Sequence, residues 1–98
     1  MNIKYTLHNI IFEWDNKKAA GNLRKHHILF ELACEAFFDP FVFYVKDEVL
    51  DGEPRETVIG LTTSWHLLYV VYVLRDDTIR IVSARPVTNA ERELYENQ

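Results

Sequence analysis

The stretch LLYVVYVLRDDTIRIVSARP, residues 67–86, decides the fold. Residues 67–74 are the longest apolar run of the chain, rich in β-branched and aromatic side chains, and residues 78–83 repeat that composition after the short break Arg75-Asp76-Asp77. Such runs suit a pleated, half-buried surface, and so short a connection closes an antiparallel hairpin. Upstream, residues 57–63 and 41–46 read as further strands, and the link at 63–66 is again of hairpin length. One more strand, at 9–14, precedes the first helix.

That helix is expected over 16–26, because the Asp15 carboxylate can accept the free N–H groups of its first turn. On its wheel Ala19, Ala20, Leu23 and His27 share one arc, while Lys18, Asn22, Lys25 and His26 gather along the flank. A second helix is expected over 29–38, where Leu29, Leu32, Ala33, Ala36 and Phe37 keep the spacing of a buried stripe. Asp39-Pro40 ends it, since a residue before proline is pushed out of the helical region. Thr88-Asn89-Ala90-Glu91 has the capping-box spacing that starts a last helix carrying Arg92 and Tyr95. The order βααββββα predicts an α+β domain: an antiparallel β-sheet with two N-terminal helices and one C-terminal helix, packed on one face.

With 98 residues, 48% of them hydrophobic, the chain is expected to be one domain, 1–98, with an ordinary core. It is too short for a dinucleotide fold or a P-loop enzyme, and neither glycine signature occurs. The net charge of -4 runs against a nucleic-acid binder in bulk. Its distribution matters more. Between residues 15 and 27 four Lys/Arg and two His face one Asp, whereas residues 31–56 hold eight acids against Lys46 and Arg55. The basic first helix and Arg80, Arg85 and Arg92 can therefore share one surface. A single cysteine, Cys34, points to the reducing cytoplasm and excludes a cysteine-built zinc site, and no membrane span or export signal is expected. No metal-ligand spacing occurs among the histidines and acids, so neither metal nor cofactor is expected.

Several constellations have two readings. Lys25-His26 either binds phosphate and moves a proton or simply complements the C-terminal dipole of its helix. Glu53 and Arg55, after an Asp51-Gly52 turn, lie on one face of extended chain and either form a surface ion pair or grip phosphate. Arg80 sits inside an apolar strand, so it needs an acid such as Glu53 or Glu91, or an anionic ligand, and Arg85 follows at the strand end. Trp14, Trp65 and the tyrosines read as packing rather than base-stacking platforms, Tyr95 having a phenol to offer.

Taken in order, Phe12-Glu13-Trp14-Asp15, Lys18, Asn22, Lys25-His26, Phe30-Glu31, Ala33, Phe38-Asp39-Pro40, Gly52-Glu53, Arg55, Ile59-Gly60, Arg80-Ile81-Val82-Ser83-Ala84-Arg85, Glu91-Arg92 and Tyr95 resemble the BrnT toxin family over nearly the whole chain. The resemblance implies a RelE-like ribonuclease fold, silenced by a BrnA-like ribbon-helix-helix antitoxin, the pair repressing its own promoter. It also implies an RNA surface made of Lys25, His26, Glu53, Arg55, Arg80, Arg85 and Tyr95. His27 stands where the family usually has glycine, and Leu29 where it usually has a serine or aspartate cap.

The expected function is that of a metal-independent endoribonuclease toxin. The RNA 2′-OH attacks the adjacent phosphate, with His26 or Glu53 as base, Arg55, Arg80 and Arg85 holding charge, and Lys25 or Tyr95 assisting the leaving oxygen. Promoter DNA is expected to be bound only through the antitoxin complex. The alternatives are a catalytically weak binding module acting as antitoxin partner and co-repressor, and an assembly protein associating through its aromatic strands.

Overall fold

The computed structural model describes residues 1–50 and 52–98, the side chains of residues 46–48 and 50 excepted. Asp51, expected in a turn with Gly52, lies outside the described residues.

The chain is α+β. Its elements are β1 (Asn2–Leu7), β2 (Ile10–Asp15), α1 (Asn16–His26), α2 (Phe30–Glu35), a 3-10 turn at Ala36–Phe38, β3 (Phe43–Leu50), β4 (Glu53–Leu61), β5 (Leu67–Arg75), β6 (Thr78–Pro86) and α3 (Asn89–Glu96). The six strands form one sheet in the order β1-β2-β6-β5-β4-β3. Every neighbouring pair is antiparallel except β2 and β6, which run parallel from Ile11↔Thr78 to Glu13↔Arg80. The N-terminal hairpin thus docks on the last strand to be made.

β1 was not among the expected strands. Its alternation is regular, with Ile3, Tyr5 and Leu7 packed against the core and Asn2, Lys4 and Thr6 turned away. It joins β2 through His8 and Asn9, both with positive φ, a tight-turn geometry found here without a glycine.

One sheet face carries the main core. Phe12 and Trp14 of β2, Ile81 and Ala84 of β6, Leu68, Val70 and Tyr72 of β5 and Val58 of β4 bury against Phe30, Ala33, Cys34 and Ala36. Edge-on ring contacts tie the layers: Trp14 to Phe30 at 5.7 Å and Phe37 to Tyr72 at 4.9 Å between centroids. Gly60 of β4 is where the 3-10 turn comes closest, since an added Cβ would stand 2.2 Å from the Ala36 carbonyl oxygen. The second helix is therefore shorter than the expected 29–38, because its last residues tighten into that turn.

α1 meets the sheet on a different face than its apolar wheel suggests. Leu23 is exposed and Asn22 is buried. The Asn22 amide donates to the carbonyls of Ala84 and Ile28 at 2.8 and 3.1 Å and accepts from the Ala84 N–H at 3.1 Å. β2 pairs with β6 only as far as Arg80. Past that point an amide side chain stands in for the missing strand and satisfies the backbone edge of β6. Asp15 caps α1 as expected, and His27 closes it in the left-handed region at φ 61°.

α3 does not join the other two helices. Ala84 faces the core, so its neighbour Arg85 projects from the opposite face, where Glu91 of α3 meets it. Among the described residues no helix is long and apolar enough to cross a membrane.

Candidate nucleic-acid interface

The sheet face away from α1 and α2 collects the cations. Register places Lys4, Glu13, Arg80 and Val73 in one row across β1, β2, β6 and β5. Arg85, Tyr69 and Ile59 form a second row, nearer the C-terminal end of β6. Between the rows β6 bulges, two residues opposing one, so that Val71↔Ser83 is followed by Tyr72↔Ile81. That extra residue keeps both Arg80 and Arg85 on the same face.

Each of those arginines is held by a carboxylate. Arg80 donates to Glu13 at 2.9 Å, with both side chains under 20% exposed, and to Asn2 Oδ1 at 3.3 Å. Its acid is thus Glu13, and neither Glu53 nor Glu91 reaches it. Arg85 donates from Nη1 and Nη2 to the two oxygens of Glu91 at 2.7 and 2.8 Å, and its guanidinium lies 4.1 Å over the Tyr69 ring. The Glu91 pairing shifts both groups outward, holding Glu91 below the usual carboxylate range and Arg85 above its ordinary value.

Glu53 pairs with Arg75 at 3.2 Å rather than with Arg55, and the pair is well exposed. It lies near Arg75, six residues along β5 from the Tyr69 row, about 20 Å at strand rise. Arg55 is half-buried, and its Nε is sealed without a hydrogen-bond partner among the described residues. Lys25 is exposed and His26 half-buried, and neither makes a side-chain hydrogen bond or ion pair among the described residues. They follow Asn22 by three and four residues, on its side of α1, the helix whose amide clasp holds Ala84.

Tyr95 donates its hydroxyl to Asp39 Oδ2. Burial, reinforced by that bond, pushes the phenol up to about 12. Burial works to raise Asp39 too, but the Tyr95 hydroxyl and the N–H groups of Phe41 and Leu61 outweigh it and hold the carboxyl low. The arrangement makes Tyr95 a strut between α3 and the end of the 3-10 turn.

The sheet face holds residues that the sequence reading passed over: Glu13, Asn2, Lys4, Arg75 and Tyr69. Alternation in β1 and β2 would have put Lys4 and Glu13 outward, but the parallel docking of β2 on β6 has no local signal. Trp65, expected to pack, is 82% exposed at the β4–β5 hairpin tip with φ 66°. Cys34 is buried, and burial pushes its thiol up, as an inert small hydrophobe requires.

The structure is thus a small α+β domain whose second sheet face, shared with α3, presents arginines oriented by carboxylates. The family model for the ribonuclease toxin BrnT of type II toxin-antitoxin systems matches residues 14–91, and the chain belongs to that family. The fold is similar to the crystal structure of the Brucella abortus ribonuclease toxin BrnT, at a TM-score of 0.53 and 20% identity, covering 78% of this chain and 94% of that one. No curated protein matches the chain in sequence. As a member of a type II toxin family, the chain has an antitoxin as its implied partner.

Proposed function

We propose that the chain is an endoribonuclease that cleaves RNA by attack of the internal 2′-OH on the adjacent phosphate, without a metal ion, in the cytoplasm. A BrnA-like ribbon-helix-helix antitoxin neutralises it, and promoter DNA is bound only through that complex. The observation that carries this is Arg85, an oriented guanidinium on an open sheet face in a chain of the ribonuclease-toxin family. Arg55, Arg80 and Arg85 supply positive charge to the phosphate path. His26 is the better base, because its ring has no ionic partner among the described residues, whereas Glu53 is engaged by Arg75. Lys25 assists the leaving oxygen in preference to Tyr95, whose hydroxyl is committed to Asp39.

Single-stranded RNA and the matched DNA, each with and without EDTA, test this. RNA alone should be cut, equally with chelator, leaving 2′,3′-cyclic phosphate ends. Cutting of DNA, or loss of activity with EDTA, overturns the mechanism.

A second reading is favoured by the carboxylates. Arg80 and Arg85 already have full ionic partners, and the net charge is negative, which suits a weakly catalytic module retained as antitoxin partner and co-repressor. Antitoxin binding together with no RNA cleavage at any protein concentration would select it.

A further inference from the structure

Arginine has two edges on which a carboxylate or phosphate can seat both its oxygens: Nη1 with Nη2, and Nε with Nη2. In Arg85 the first edge is taken by Glu91. Nη1 also donates to the Pro86 carbonyl oxygen at 3.2 Å, so both of its hydrogens are committed. The ring of Tyr69 floors the guanidinium plane. Nε and the second Nη2 hydrogen have no partner among the described residues, and the side chain is 32% exposed.

Glu91 is itself fixed. Its Oε1 accepts from the Thr88 N–H at 2.8 Å while its own N–H donates to the Thr88 hydroxyl at 3.2 Å, the reciprocal pair of a capping box. The start of α3 is thereby clamped, and it clamps Arg85 in turn.

The geometry points to Glu91 as a positioning residue that holds Arg85 with its Nε/Nη2 edge free for two oxygens of an RNA phosphate. The carboxylate and the phosphate do not compete, because they use different edges. A long side chain that would otherwise lose rotamer freedom on binding substrate has lost it already. The inference rests on the RNA-cleaving reading above.

Glu91→Gln separates this role from helix capping, since the glutamine carbonyl still accepts from Thr88 while its NH2 group cannot accept from Arg85. With single-stranded RNA, kcat should fall about tenfold to a hundredfold in Glu91→Gln while KM stays within about threefold. Val58→Ala, a core variant on the far face, controls for lost stability and should keep the parental kcat where it is folded. The second measurement is the Arg85 Nε–Hε resonance on titration with a 2′-O-methyl RNA oligonucleotide, which cannot be cleaved. It should shift in the parental protein, and at least half of that shift should be lost in Glu91→Gln. A parental or faster rate in Glu91→Gln overturns the positioning role, a faster one showing that Glu91 shields Arg85. A parental Arg85 resonance that ignores the oligonucleotide overturns it equally. A parental protein that shifts this resonance yet cuts no RNA refutes the nuclease reading and leaves the positioning of Arg85 standing.

Discussion

The two faces of this one sheet are held by different forces. Against α1, α2 and the 3-10 turn the contacts are apolar and close, with Phe12, Phe30, Ala33, Leu68 and Val70 all but removed from solvent. On the other face the same strands present arginines, and what orders them is a set of charge-assisted hydrogen bonds: Arg80 to Glu13, Arg85 to Glu91, Arg75 to Glu53. α3, the helix on that side, has no buried residue and attaches through Glu91, Tyr95 and Gln98. Packing supplies the stability and leaves polar contacts free to specify direction, so damage to the two faces should have different consequences.

The largest effect is expected at Gly60. A methyl group there would meet the backbone of Ala36, which cannot step aside without moving the 3-10 turn. Gly60→Ala should cost about 3 kcal/mol or more in denaturant unfolding, with whatever folds retaining its activity. A loss below about 1 kcal/mol would mean that the packed face is looser than described.

Arg80→Ala should strike both properties. It leaves Glu13, largely shielded, with only Lys4 opposite it, at about 1–3 kcal/mol, and it lowers RNA cleavage at least about tenfold. Adding Glu13→Gln should restore most of the stability and none of the activity. Recovery of both together would show that Arg80 is purely structural.

pH sharpens the contrast, because the polar ties of α3 titrate. Asp39 and Glu91 are lowered, so what their pairing contributes is complete above about pH 4 and fades as pH falls through their folded values. Tyr95 is raised to about 12, so its contribution is complete below about pH 10 and fades as pH climbs toward 12. Tyr95→Phe should cost about 1 kcal/mol at neutral pH, discounted for solvent reaching the phenol, and should flatten the alkaline fall of Tm. Identical alkaline slopes in the two proteins would dissociate Tyr95 from α3 docking.

The smallest expected change is a gain. His27 pays a left-handed backbone at φ 61°, where glycine would not, and its side chain closes α1 without a structural partner among the described residues. His27→Gly should raise stability by about 0.5–1 kcal/mol, the looser unfolded chain offsetting part of the relief. A drop in Tm would show that the imidazole contributes something the backbone geometry does not reveal.

Much of this was readable from the amino acids. The apolar runs at 67–74 and 78–83 are β5 and β6, Asp15 and the Thr88/Glu91 box cap the helices they were expected to cap, and the motif series led to the correct family. The need of Arg80 for an acid was visible too, although its expected partners were Glu53 and Glu91, and the pairing of Glu91 with Arg85 was not foreseen. The failures share one cause, that the deciding partner lies far along the chain. Asn22 looked like a solvated flank residue because nothing local shows that β6 lacks a neighbour at Ala84, 62 residues away. Arg80 could not be matched to Glu13 without the parallel pairing of β2 with β6, and β1 escaped because its turn at His8-Asn9 carries no glycine.

That parallel pairing also governs when the protein can exist. β6 lies between β2 and β5, so β2, with Phe12 and Trp14, has only β1 to pair with until residues 78–86 have left the ribosome. Pairings of such sequence separation form late, after their loop closure has been met by enough other contacts. Arg80 and Arg85 are carried by that same strand, which makes assembly of the sheet and assembly of its cationic face a single event. A nascent chain of this protein therefore has neither its full sheet nor its oriented arginines until the sixth strand locks in.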